Sequence, residues 1–331
     1  MLFNIYTNDK PSFNNIRRFI YADDLCIATQ SRNCETIETH LTDALTTMTG
    51  YYRSWFLNAN PGKTQVCAFH LNNRDASKKL NITWDGKTLE NTPYPVYLGV
   101  TLDRTLSFKE HAAKTRKKVS ARMNLVKNLA NSSWGADPRT LKQSALALCF
   151  STAEYCAAVW ERSAHASKVD VELNKVCRII TGNLRATPIP SLYRLAGICP
   201  PGIRRAALAK TEREKQLNDP RHPMHGHQEV ATRLKSRNSF TKVKCEDTPT
   251  DTFRMAMWNK SDQGKNAALP LPSEALPPGA DLPRRQWVAL NRARAKVAKT
   301  RDNMCRWGFF PKRACQCGED PQTIEHILQA C

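Results

Sequence analysis

Near residue 105 the spacing of apolar residues changes character, and that change limits what the chain can fold into. Before it, short apolar runs are broken by turn residues; after it, apolar residues recur every three or four positions. At 331 residues the chain is also longer than one hydrophobic core usually supports. It reads as an α+β unit followed by a helical one. In the helical part Phe108, Ala112, Val119, Met123 and Val126 form one stripe. Leu141, Ala145, Leu148, Thr152, Tyr155 and Val159 form a second, and Val176, Ile179 and Ile180 a third. Residues 219–283 are polar and then proline-rich, which reads as a linker with room for one short helix. His222, His225 and His227 crowd a broken loop there, where no regular element would aim them at one metal ion. In 284–331 a short stripe of Trp287, Leu290, Ala293 and Val297 runs among arginines and lysines.

In the α+β part the informative stretch is Phe19-Ile20-Tyr21-Ala22-Asp23-Asp24-Leu25-Cys26-Ile27-Ala28. Apolar runs flank two carboxylates, so it reads as a β-hairpin with the aspartates at the turn. Adjacent carboxylates repel in a half-buried site, and a divalent cation shared with a phosphate keeps both ionised. A polar turn between two core strands is the competing reading. Cys34, Ile37, Leu41, Ala44, Met48, Tyr52 and Trp55 follow at helical spacing. Lys63 enters a strand, Asp85-Gly86 marks a tight turn, and Tyr94 to Leu102 reads as a strand pair or bend.

Fifty lysines and arginines oppose 30 acidic residues, a formal charge of +20, which points to a polyanionic partner. Lys109, Lys114, Arg116, Lys117, Lys118, Arg122 and Lys127 concentrate that charge on the first long helix. Such a run suits either a solvated face or contact with a nucleic-acid backbone. No stretch approaches the roughly 20 apolar residues that span a bilayer, and the opening residues lack a signal-peptide pattern. The expectation is an intracellular protein of nucleus or cytoplasm, with no membrane partner. Most of the 12 cysteines are scattered singly. Cys315, Cys317, His326 and Cys331 are not: three thiols and one imidazole make the ligand set of a closed tetrahedral Zn2+ site. Gly318 allows the turn, a short helix presents the histidine, and Cys305 is a substitute ligand.

The segments Phe19 to Asp24, Leu57 to Thr64 and Tyr97-Leu98-Gly99-Val100 together resemble the later palm motifs of reverse transcriptases from non-LTR retrotransposons, most closely the jockey-like insect elements. The resemblance continues through Ile179 to Gly182, Leu195 to Pro201 and Trp307-Gly308 to the terminal cluster. It implies the late part of a palm with an antiparallel sheet over 1–105, a helical thumb over 106–218, a linker over 219–283, and a basic segment with a zinc knuckle over 284–331. By the same resemblance Asp23 and Asp24 hold Mg2+, Tyr21 and Ala22 line the primer end, Lys63 protonates the leaving pyrophosphate, and Tyr97, Leu98 and Gly99 grip the primer. The implied partners are an RNA template, a DNA primer and nucleoside triphosphates. The family also uses a third aspartate from an earlier strand. Asp9, the one aspartate ahead of Asp23, has the wrong neighbours for that role. The expectation is therefore a fragment that does not polymerise DNA alone. A catalytically dead nucleic-acid-binding protein is the alternative.

Overall fold

A computed structural model of the chain describes residues 5–72, 74–227, 239–243, 245, 248–261 and 275–331. The expected linker, including Pro270 and Pro272, falls partly outside these residues. Two compact units emerge, the first running to His111 and the second beginning at Ala112. The structure mixes helices with small sheets, as an α+β chain should.

In the first unit, β1 (Ile16–Tyr21) and β2 (Asp24–Thr29) form an antiparallel hairpin whose last pair is Tyr21 opposite Asp24. Helix α1 (Cys34–Ser54) starts at Asn33, whose side-chain oxygen accepts the Glu35 N–H at 3.1 Å. Its Ala44, Leu45, Met48 and Tyr51 recur at helical spacing and are buried. Leu45 joins Val66, Leu80, Ile82, Trp84 and Leu89 in one core, and the Trp84 indole donates to the Thr49 hydroxyl at 2.8 Å.

Among the described residues, four two-stranded ladders stand in place of the single antiparallel sheet expected from the sequence. Short strands β4 (Thr83–Trp84) and β5 (Lys87–Thr88) form the hairpin at Asp85-Gly86. Strands β3 (Gln65–Val66) and β6 (Glu90–Asn91) pair in parallel, because that hairpin returns the chain alongside its earlier course. The Asn91 side chain locks the return by bonding both the N–H and the carbonyl of Leu80, at 3.0 and 2.7 Å. Strands β7 (Val96–Tyr97) and β8 (Val100–Thr101) close the unit.

The second unit is helical. It contains most of α2 (Lys109–Asn128), then α3 (Pro138–Ala145), a π-helical segment Leu146–Phe150, α4 (Ser151–Glu154), α5 (Ala157–Trp160), α6 (Ser167–Thr181), α7 (Ile189–Ala196), α8 (Pro201–Asn218) and α9 (Thr250–Lys260). The stripe read continuously from Leu141 to Val159 is interrupted. The π turn shifts its phase, and Cys156 adopts a left-handed conformation with φ 51°. Tyr155 and Val159 consequently face solvent, while Ala153, Ala157 and Trp160 are buried in their place.

Helix α6 is the centre of this unit, packing against α3, α7, α8 and α10 (Arg284–Arg294). Its last carbonyls have no partner within the helix and would be costly to bury bare. Side chains of α10 supply the donors: Arg284 bonds the carbonyls of Ile179 and Ile180 at 2.5 and 2.7 Å, Trp287 bonds Ile180 at 3.1 Å, and Asn291 bonds Thr181 at 3.2 Å. Arg284 and Asn291 are thus buried beside Trp287 and Val288. Short helices α11 (Arg301–Arg306) and α12 (Ile324–Gln329) complete the chain. Among the described residues, no helix is long and apolar enough to cross a membrane.

Candidate functional site

The two aspartates occupy the β1–β2 hairpin as the sequence suggests, but in the open. Asp23 and Asp24 are both exposed, with Phe19, Ile20 and Tyr21 beside them, rather than half-buried between core strands. A two-stranded ladder offers two faces, and α1 packs along β2. Ala22, at the turn, is held at φ 52°, a left-handed conformation that costs an alanine about 1 kcal/mol or more. Lys10 lies near Asp23: burial and then Arg18 push its ammonium pKa down, and Asp23 pulls it up. Asp9 is engaged elsewhere, accepting the Tyr51 hydroxyl at 3.0 Å. Burial and then that bond push the Tyr51 phenol up to about 12.

The Tyr97-Leu98-Gly99-Val100 segment meets this hairpin. Both turn residues are left-handed, Leu98 at φ 45° and Gly99 at φ 77°, the backbone of a tight hairpin turn. The Tyr97 hydroxyl donates to the Phe19 carbonyl at 3.4 Å. Burial first, then Cys26 and Asp24, raise the Tyr97 phenol pKa, so the ring shares its surroundings with one of the two carboxylates. Lys63 ends a 3-10 turn, Pro61–Lys63, whose Asn60 side chain accepts the Lys63 N–H at 3.2 Å. The Lys63 side chain is exposed, and no described contact joins it to Asp23 or Asp24.

Two adjacent exposed carboxylates at a turn fit Mg2+, which keeps several waters and is usually held by one or two carboxylates together with substrate phosphates.

Along α2 the basic residues divide. Lys109, Lys114, Lys117, Lys118 and Lys127 are exposed. Arg116 bonds the buried Glu172 at 3.1 Å, and Arg122 bonds the Leu148 carbonyl at 3.2 Å and the Thr152 hydroxyl. Those two guanidiniums therefore hold the fold as well as carrying charge.

At the end of the chain the ligand atoms of Cys315, Cys317, His326 and Cys331 all lie within 4.8 Å of one another. The Cys315 and Cys331 sulfurs are 3.8 Å apart, about the edge of a tetrahedron with Zn–S bonds near 2.3 Å. His326 turns Nε2 toward Cys317 at 3.2 Å and Nδ1 toward the Glu319 carboxylate at 3.5 Å, the outer contact that orients a zinc-binding imidazole. Thr323 caps α12 by accepting the His326 N–H at 3.1 Å, and Gly318 makes the turn at φ 95°. The Cys317 N–H and the Gln322 amide pull the Cys315 thiol down to about 6, favouring the thiolate that a metal needs. Hydrogen bonds to Cys315 and Cys317, and then their charge, push Cys331 up to about 11. The donor set and spacing fit Zn2+. Cys305 is not part of the cluster. His222 pairs with Glu212 and His225 with the Gln216 carbonyl, and among the described residues the three histidines do not form a metal-capable group.

Comparison with known proteins agrees with the motifs. The chain is 30% identical over 139 residues, 40% of its length, to the probable RNA-directed DNA polymerase from transposon BS of Drosophila melanogaster. It is 25% identical over 203 residues, 55% of its length, to the probable RNA-directed DNA polymerase from transposon X-element of the same species. It is 31% identical over 122 residues, 33% of its length, to the RNA-directed DNA polymerase from mobile element jockey of Drosophila funebris. Its curated relatives are non-LTR retrotransposon polymerases. The matches cover 15%, 20% and 13% of those three proteins, so the chain spans about a fifth or less of their length. No family model and no solved structure matches it.

Proposed function

We propose that the chain carries the late palm and the thumb of an RNA-directed DNA polymerase of a non-LTR retrotransposon. The observation that carries this reading is the bond from Tyr97 to the Phe19 carbonyl, which brings the two segments that resemble primer-end motifs against each other. Bound there, Mg2+ supplies charge neutralisation and makes a primer 3′-hydroxyl more acidic. Asp23 and Asp24 provide the carboxylate oxygens, the left-handed Ala22 sets their direction, and Tyr97 packs under the hairpin. Lys63, on its exposed turn, is the acid for the leaving pyrophosphate. With Asp9 committed to Tyr51, the family's third carboxylate has to come from a segment outside these residues, and the chain alone does not extend a primer.

The exposed lysines of α2 track the template–primer backbone, which requires charge and not sequence. The Cys315, Cys317, His326 and Cys331 module binds Zn2+ and adds a second nucleic-acid contact. Titrating the chain with an RNA template annealed to a DNA primer tests this reading. Affinity should fall steeply with salt, and alanines at Lys114, Lys117 and Lys118 should flatten the log–log slope by about two to three. An unchanged slope would remove α2 from the interface. Binding retained with no polymerisation under any complementation would favour a nucleic-acid-binding protein that has lost catalysis.

A further inference from the structure

The turn after α2 is closed by several hydrogen bonds and carries one largely exposed indole. Asn131 N–H donates to the Trp134 carbonyl and Ala136 N–H to the Leu129 carbonyl, both at 2.9 Å. Gly135 sits at φ 114°, where a Cβ would come within 2.3 Å of the Ala130 Cα and 2.5 Å of the Leu129 oxygen, so only glycine closes the turn. From the protein side the buried Arg284 donates its Nε–H to the Asn131 carbonyl at 2.9 Å, in addition to its bonds to α6. Despite these restraints Trp134 is 57% exposed. Burial therefore does not explain why the largest side chain type sits there.

The neighbours of Trp134 are informative. Leu125 and Leu129, one helical turn apart and leading into this turn, are 56% and 41% exposed. Along the same face toward the helix start, seven, eight and eleven residues before Leu125, stand Lys118, Lys117 and Lys114. An apolar shelf and an exposed indole on a tightly bonded turn continue a row of cations. A protein partner would account for the shelf alone. A single nucleic-acid strand accounts for both, with phosphates on the lysines and a base on the ring, and the fixed turn lowers the ordering cost of stacking.

We propose that Trp134 is a stacking platform for an unpaired nucleotide base, with Leu125 and Leu129 as its apolar floor and Lys114, Lys117 and Lys118 as the phosphate track. This rests on the nucleic-acid-binding reading above and adds to it a strand type and a contact residue.

The test is fluorescence anisotropy of the full chain with labelled oligo(U) and oligo(dT), beside the RNA–DNA hybrid. Trp134→Ala should weaken single-strand binding by about tenfold, within the range for loss of one base–aromatic stack, and leave the salt slope unchanged because no charge is removed. Trp134→Phe should restore most of the affinity. The thermal midpoint should not move, since the ring is largely in solvent. A loss confined to oligo(U) or to oligo(dT) would support the platform and identify the strand it takes. Equal affinities for wild type and Trp134→Ala, with weakening in the triple lysine variant, would overturn the platform and leave the nucleic-acid interface standing. Self-association of the wild type abolished by Trp134→Ala, with unchanged oligonucleotide binding, would overturn it in favour of a copy-to-copy contact. No binding of wild type to any of the three ligands would overturn both readings together.

Discussion

Arg116 stands in a row of lysines on α2, yet its guanidinium reaches Glu172, a carboxylate with a side chain only 2% exposed. Burial alone would raise the Glu172 pKa, but bonds from Lys175 and Arg116 more than offset it and hold the group below its ordinary value. A lowered carboxylate pKa stabilises the fold above the unfolded value and loses that contribution as pH falls through the folded one. Arg116→Ala should therefore cost about 1–3 kcal/mol at pH 7. The difference from wild type should shrink as pH falls through the carboxylate range, because Glu172 protonates first in the variant and only at lower pH in wild type. Denaturant unfolding at pH 7 and pH 3.5 measures this, and a cost independent of pH would contradict the role given to Glu172. The basic character of α2 is plain in its sequence. That Arg116 and Arg122 serve internal partners is not, because those partners lie on other helices and the charge pattern of one helix does not reveal them. Arg284 is the sharper case. Nothing in its own stretch of sequence sets it apart from the other basic residues around the Trp287 stripe, and the carbonyls of Ile179, Ile180 and Asn131 explain its burial.

At the scale of elements, local chemistry was readable wherever it was sufficient. The Tyr21-Ala22-Asp23-Asp24 hairpin, the Asp85-Gly86 turn and the long helix from Cys34 follow from apolar runs, turn residues and helical spacing. The π turn at Leu146–Phe150 and the left-handed Cys156 have no such local signal, so the stripe drawn through Tyr155 and Val159 failed there. The exposure of Asp23 and Asp24 was missed for a different reason: whether a strand is covered depends on elements outside it. The terminal cluster was readable from ligand types and spacing, and its geometry admits a direct test. Since zinc takes thiolates, uptake must displace the proton held by Cys331, and the apparent affinity should climb with pH from 6 to 8. Chelation should make the segment from about Arg313 onward sensitive to protease while the α6-centred helices stay resistant. A segment equally resistant with and without chelator would exclude a structural metal.

At the scale of the whole molecule, the mixture of helices and small sheets was legible, since it rests on periodicity. The dependence of α6 on α10, more than a hundred residues later, was not: it is a matter of hydrogen-bond accounting that no stretch of sequence displays. The functional account rests on how the Asp23–Asp24 hairpin and the Tyr97 turn meet, and on relatives of which this chain spans about a fifth or less. The decisive measurement is primer extension on an RNA template with Mg2+. It compares this chain alone with a joined protein in which the chain replaces the matching segment of the transposon BS polymerase, each also as Asp23→Asn. The account requires extension by the joined protein, none by the chain alone, and loss of at least a hundredfold with Asp23→Asn. Extension that survives Asp23→Asn would contradict the assignment of the hairpin carboxylates, and with it the central claim.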